Sequence, residues 1–523
     1  MSKLLKWLKP SLTWLDDHIL EYLSLALLVF IPLYPKIPLA DLIPGYIVRL
    51  RLDDLLVAFA FGIWVIWLLR KKVTLKENPL FVPMAIYIVI GFISSLSAIF
   101  ITHTVPMQPI HVAKLFFNYA RRIEYFSVFF VFFSSIKSLG QIKKYVYVAA
   151  IVLFLVSIYG FGQRYLYWPA FSTMNREFSK GITLYLTPHA RVLSTFGGHY
   201  DLAAYLMIIL TLFIPLVFVI KKLWVKFALG VVSFAGFWLL ILTVSRTSFL
   251  AYLFSITVVF FILAAKKGWK WSFVHWFVVM FISLTIMLSF GDLSQRFAHV
   301  LKLDAIKSTL VSPIVKQAPS GKNVAFLDVG SSSDIPPSPK KPGATSAPAT
   351  PSDVYKNIPL YGTGSGTVAA IPRVYSQNAV QYDLSTGIRL DYTWPHAIAG
   401  FATNPLLGSG YSTLQKENVE VFTEAESTDN DFLRALGETG LLGFLAFYSI
   451  VAAVCFYALK GFTKINDIFY ATIVAGLASA TAGLLLNAVL IDVFEASKVA
   501  YIFWIMAAIV LATVKLAAKQ TKT

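Results

Sequence analysis

Apolar positions in this chain come in unbroken blocks, not in the one-sided stripes of soluble helices. Blocks of about 20 residues, the length a helix needs to cross a bilayer, recur about twelve times. They cover 19–34, 52–69, 80–101, 116–134, 145–163, 202–220, 223–244, 248–264, 271–290, 433–459, 468–490 and 499–514. The pattern predicts an all-α polytopic membrane protein with about 12 transmembrane helices. A large loop separates the ninth from the tenth.

The polar connectors give these helices a direction. Basic residues crowd into alternate connectors: Arg70, Lys71, Lys72 and Lys76; Lys137, Lys143 and Lys144; Lys221, Lys222 and Lys226; Lys266, Lys267 and Lys270; Lys460 and Lys464. Both tails are basic as well. By the positive-inside rule these segments and both termini are cytoplasmic, and the other connectors face outward. The formal charge of +18 is therefore a topology signal and not a nucleic-acid footprint. With 57% hydrophobic and only 14% charged residues, the chain lies outside the range of soluble domains. A lone cysteine, Cys455, excludes an internal disulfide and a multi-cysteine metal site. No cleavage-site pattern follows the first block, so it reads as a retained span.

The expected organisation is helices 1–9 over 1–290, with an outer loop at 164–201, then an external loop at 291–432, then helices 10–12 and a cytoplasmic tail over 433–523. Within the long loop, 312–352 is rich in Pro, Ser, Ala and Lys and reads as a flexible insertion. From about Tyr382 the pattern changes to a helix lying on the membrane face, followed by a Gly-rich turn, N-P-L-L-G-S-G-Y.

Polar residues at the outer ends are the candidates for chemistry. The stretch 427–443 reads S-T-D-N-D-F-L-R-A-L-G-E-T-G-L-L-G. Thr428 and Asp431 have capping-box spacing, and Gly437, Gly440 and Gly443 offer a smooth face for close packing. Arg246 lies in a short turn between two spans, Arg191 just before the sixth span, and Arg389 in the long loop. Arg121 and Arg122 begin the fourth span with Glu124 as a local partner, which equally fits a structural ion pair. Guanidinium forks on one face suit a lipid-borne diphosphate, as ligands and as stabilisers of a leaving group. Asp429, at a helix N-terminus, suits a carboxylate base. Each of these residues also has a plain reading: a snorkelling arginine, a helix cap at His199 and Asp201, an acidic first turn at Asp53 and Asp54. Asp429-Asn430-Asp431 is formally D-x-D, a spacing that can bind a divalent cation, though three-residue matches are frequent by chance. The histidines lack metal-ligand spacing.

These motifs resemble the O-antigen ligase and O-antigen polymerase superfamily of bacterial inner-membrane proteins. Four stretches carry the resemblance: R-V-L-S-T-F-G-G-H-Y-D, S-R-T-S-F-L, G-I-R-L-D-Y-T-W with N-P-L-L-G-S-G-Y, and D-N-D-F-L-R-A-L-G-E-T-G-L-L-G. Arg246 and Leu250 meet the ligase arginine motif. Where ligases carry a His-Asn pair, nine residues and Gly-x-x-Gly, this chain has Asp429-Asn430 ahead of Gly440 and Gly443, an aspartate in place of the histidine. The resemblance implies inverting glycan transfer from an undecaprenyl diphosphate carrier, with no metal or cofactor, at the outer face of the bacterial cytoplasmic membrane. Arg191 and Arg246 match the diphosphate-holding positions and Arg389 a recurrent loop arginine. Asp429 would be the base beside Asn430, with His396 or His199 as alternative bases. The acceptor is a glycan, lipid or protein hydroxyl. A polysaccharide or lipid-carrier transporter, or an inactive binding relative, are the readings from other classes. A transporter would place charges near the bilayer midplane.

Overall fold

A computed structural model describes residues 2–42, 49–174, 178–187, 190–289, 355–356, 378, 384–414 and 428–520. The expected flexible insertion at 312–352 lies outside them. The described chain is all-α apart from two small strand pairs. In order, the helices are α1 (Ser2–Leu33), α2 (Leu52–Leu69), α3 (Phe81–Phe100), α4 (Pro109–Ser135), α5 (Leu139–Tyr165), α6 (His199–Val219), α7 (Leu223–Leu242), α8 (Arg246–Lys267) and α9 (Trp269–Ser289). After the long loop come α10 (Leu384–Ile388), a π-helical turn (Arg389–Thr393), α11 (Trp394–Thr403), α12 (Asp431–Lys464), α13 (Ile468–Asn487) and α14 (Ser497–Gln520).

Each apolar block falls on one long helix, but among the described residues ten of these helices, not twelve, are long and apolar enough to cross a membrane. The two that differ are α1 and α4. Helix α1 begins well before its apolar block and takes in Asp16, Asp17 and Glu21. Helix α4 carries Lys114, Arg121, Arg122 and Glu124 between its start and just past its middle. These charges dilute the helices' apolar character, and the ones on α4 matter for the site.

Burial divides the helices into centre and rim. The most apolar windows of α6, α13 and α14 are 83%, 78% and 83% buried, whereas those of α2 and α9 are only 28% and 22% buried. Helix α13 can sit at the centre because it is built from small residues, A-G-L-A-S-A-T-A-G, and it packs on α6 and α8. Helix α14 packs on α4. The rim helices keep apolar side chains outward, as lipid contact requires.

Connectors alternate between the two ends of the bundle. Among the described residues, one end collects 34–42, 49–51, 101–108, 166–174, 178–187, 190–198, 243–245 and 488–496. There β1 (Pro38–Ala40) pairs with β2 (Leu50–Arg51), and β3 (Tyr185–Leu186) pairs with β4 (Tyr355–Lys356). The second pair joins the two large connectors. The opposite end holds the lysine- and arginine-rich connectors.

Candidate functional site

Helix α12 begins two residues later than the Thr428–Asp431 spacing implies, and with a different cap. Its N-cap is Asn430, whose Oδ1 accepts the Leu433 N–H at 2.9 Å. Thr428 is not the cap, and its hydroxyl serves another partner. Similarly, the N-cap of α6 is Gly198, so His199 and Asp201 are already helical.

Immediately before the cap, Asp429 adopts φ +51°, the left-handed region that Asp tolerates better than most residues. Its Oδ2 accepts from Arg389 Nη2 at 3.1 Å. The Arg389 side chain is 11% exposed and that of Asp429 36%, so a buried guanidinium presents a carboxylate that stays partly exposed. Arg389 is itself fixed: Nη1 donates to Ser385 Oγ at 2.9 Å and Nη2 to the Leu490 carbonyl at 3.1 Å. Its place on a π-helical turn is a local departure of the kind frequent at functional sites. Arg389 thus meets the 488–496 connector and Asp429 together.

The glycines of α12 do more than give a smooth face. At Gly440 (φ +65°, ψ −169°) the helix breaks, and the Gly-rich turn takes over the lost bonds. Ser409 and Gly410 donate their N–H groups to the carbonyls of Gly437 and Glu438, at 2.8 and 2.9 Å. Leu441 and Leu442 donate to Pro405 and Leu406, at 2.8 and 3.2 Å. A side chain on Gly440 would run into the backbone of Leu406 and Leu407. The N-P-L-L-G-S-G-Y turn is therefore stitched into α12 two turns below Asp429 by four backbone bonds across the interruption.

The two candidate diphosphate arginines occupy the same end of the bundle. Arg191 donates to His199 Nε2 at 2.6 Å and to the Tyr200 hydroxyl at 3.2 Å. A guanidinium has only donors, so Nε2 is the acceptor and that ring carries its proton on Nδ1. His199 is held by Arg191 and buried, which is a poor placement for a base. Arg246 is the half-buried first residue of α8, behind the Ser245 cap. Backbone bonds tie these segments together. Val192 donates to the Leu242 carbonyl at 3.2 Å, beside the turn that ends in Arg246. Ser248 accepts from Asn487 Nδ2 at 3.0 Å, and the next carbonyl, of Ala488, takes the Asp431 N–H at 2.9 Å. The starts of α8 and α12 are thus both anchored on the end of α13. His396, by contrast, is exposed and bonds the Tyr392 carbonyl within its own helical run.

Arg121 and Arg122 form structural ion pairs. Arg121 donates to Asp54 (2.6 Å) and Glu124 (2.9 Å). Arg122 pairs with Glu495 and, at 3.6 Å, with Glu438, and it covers the Tyr411 ring at 5.3 Å. This belongs to a buried network that sequence inspection missed. Arg434 reaches Asp492 at 3.0 Å, Glu438 at 3.4 Å and Glu495 at 3.8 Å around a cavity of ≈ 30 Å³. Only the Arg434–Glu438 pair, at i,i+4 spacing, leaves a local trace in the sequence. Outside the spans, burial pushes the Tyr411 phenol well above its ordinary range. Burial also lowers the Lys36 ammonium against the pull of Asp53, 3.3 Å away.

The D-x-D pair divides its partners. Asp429 faces Arg389, whereas buried Asp431 accepts the Phe494 N–H at 3.0 Å. Each carboxylate is therefore already engaged with a different element.

Residues 229–448 match the family described as O-Antigen ligase, a stretch that contains Arg246, Arg389, Asp429, Asn430 and both glycines of the Gly-x-x-Gly pattern. No curated protein matches the chain. The described residues thus hold ten helices long and apolar enough to cross a membrane, and residues 229–448 carry the O-antigen ligase family domain, which points to a ligase- or polymerase-type membrane glycosyltransferase.

Proposed function

We propose that this protein moves a glycan from an undecaprenyl diphosphate carrier to an acceptor hydroxyl at the outer face of the bacterial cytoplasmic membrane, in assembly of a cell-surface polysaccharide. Asp429 takes the acceptor's proton as its oxygen attacks the anomeric carbon. The bond from that carbon to the diphosphate oxygen breaks, and the released negative charge is held by Arg191 and Arg246. A single displacement from the face opposite the leaving group inverts the anomeric configuration. Guanidinium charge replaces a metal in this scheme, and Arg389 aims the carboxylate besides adding positive charge.

The observation that carries this reading is the Arg389–Asp429 pair: a half-open carboxylate on a left-handed residue, held by a buried arginine at a helix start. It lies on the bundle end that also holds Arg191 and Arg246. The lysine- and arginine-rich connectors at the other end support the assignment of this end to the outside. The test is reconstitution in liposomes with an undecaprenyl diphosphate oligosaccharide and the glycolipid fraction of the source cells. Transfer is expected to proceed unchanged in a chelator. Loss of transfer in the chelator would overturn the metal-free scheme, and no transfer from this class of donor would overturn the function.

A further inference from the structure

Asp492 lies in the connector between α13 and α14, outside the stretch that matches the family. Its carboxylate makes four hydrogen bonds to α12 and the residues just before it. Oδ2 accepts the Thr428 N–H at 2.9 Å and Arg434 Nη1 at 3.0 Å. Oδ1 accepts the Asn430 N–H at 2.7 Å and the Thr428 hydroxyl at 3.0 Å. Thr428 and Asn430 are the two neighbours of Asp429. One side chain therefore grips the backbone on both sides of the residue proposed as base.

Helix capping does not account for these bonds. Asn430 already satisfies the Leu433 N–H and Ala488 satisfies that of Asp431. Asp492 instead spends three of its four bonds upstream of the first helical residue. What that segment requires is a reason to keep Asp429 at φ +51°, a conformation that persists only where its surroundings over-determine it. The neighbouring turn contributes as well, because Leu490 accepts from Arg389, which holds the Asp429 side chain. Behind Asp492, Arg434 is shared with Glu438 and Glu495, and Glu495 is shared with Arg122. The clamp thus rests on buried charges of α4 and α12, not on a mobile surface residue.

We infer that Asp492 is a positioning residue that fixes the Thr428–Asn430 backbone so that the Asp429 carboxylate meets the acceptor hydroxyl, an inference that rests on the proposed role of Asp429 as base. Misplacing a reacting group by about 1 Å can cost up to about 100-fold in rate.

The experiment compares wild type, Asp492→Asn, Thr428→Val, Asp429→Asn and the two double variants carrying Asp429→Asn. All are reconstituted with undecaprenyl diphosphate oligosaccharide and source-cell glycolipid. Asp492→Asn is expected to lower kcat by about 10- to 100-fold with the donor KM within about 3-fold. Thr428→Val, which removes one of the four bonds, should lower kcat by about 3-fold. In the Asp429→Asn background neither change should slow the residual rate further, because there is no base left to aim. An unchanged kcat, a loss confined to donor KM, or losses that multiply in the double variants would each overturn the positioning role. If Asp492→Asn does not fold, Thr428→Val decides alone by the same criteria. Full activity of Asp429→Asn would overturn the base itself. An inactive Asp429→Asn beside fully active Asp492→Asn and Thr428→Val would remove the clamp and leave the base standing.

Discussion

The two ends of the helix bundle both carry ion pairs, and they use them differently. At the lysine- and arginine-rich end, Arg70 bonds Asp16 at 2.7 Å with the arginine side chain 51% exposed. Lys72, Lys144 and Lys515 pair with Asp16 and Asp17, Glu21 and Glu77 in similarly wet surroundings. At the opposite end, Arg122–Glu438 has side-chain exposures of 6% and 4%, and Arg434–Asp492 of 11% and 7%. Exposed pairs contribute little to stability. Buried pairs are costly to assemble and costlier to break, so they persist where a geometry has to be held. Charge at one end lies in wet, basic connectors of the kind the positive-inside rule reads as a topology signal. At the other end it holds a segment of backbone in place.

If that contrast is right, the largest effect belongs to Asp429. Asp429→Asn keeps the left-handed turn and an acceptor for Arg389 but cannot take a proton. We expect turnover to fall by about 10²- to 10⁴-fold, the usual range for a general base, with donor binding retained. Transfer kinetics beside a donor-binding titration check this. Next comes the buried network. Glu438→Ala leaves Arg122 and Arg434 sharing Glu495 and Asp492, and it removes the acceptor for the Ser412 N–H at 3.1 Å. A loss of about 3–5 kcal/mol is expected, measured by unfolding in detergent titrated with SDS. A negligible change would show that the buried end is no different from the exposed one.

Much of this was legible in the sequence. Apolar block length placed the long helices, and the spacing of Asp429-Asn430 from Gly440 and Gly443 pointed to a stretch that the family match includes. Local pattern failed where partners are far apart in the chain. Thr428 has capping spacing, but its hydroxyl is taken up by Asp492, 64 residues away. The cap is Asn430, whose Oδ1 accepts the Leu433 N–H, while Asp492 holds the residues before it. Arg122 looked like a member of a local pair with Glu124, yet its partners come from α12 and the last connector. The break at Gly440 was hidden for the same reason. A glycine in a helical pattern reads as a packing face until the turn that supplies its missing bonds is seen.

Arg246 sharpens the contrast from the surface side. Arg246→Lys keeps the charge at the start of α8 but loses the planar fork. An effect of about 10-fold on donor KM is expected, equivalent to one charge-assisted hydrogen bond. A wild-type KM would reduce Arg246 to a snorkelling residue.

The smallest effect is expected at the exposed end, and it is as informative as the largest. Arg70 forms two short bonds to Asp16, at 2.7 and 2.8 Å, geometry as good as any at the buried end. If hydrogen-bond geometry set the importance of an ion pair, Arg70→Ala would rank with Glu438→Ala. Burial predicts otherwise. Asp16 keeps Lys72 as a partner at 2.7 Å, and water replaces the guanidinium at little cost. Transfer rate and thermal midpoint in detergent should therefore match the wild type. The residual sensitivity should be to topology, because Arg70 is one of four basic residues in its connector. Removing Arg70, Lys71, Lys72 and Lys76 together should disturb insertion, read by cysteine accessibility from the two sides of the membrane. A single Arg70→Ala variant that lost transfer while inserting correctly would mean that the exposed end also holds geometry.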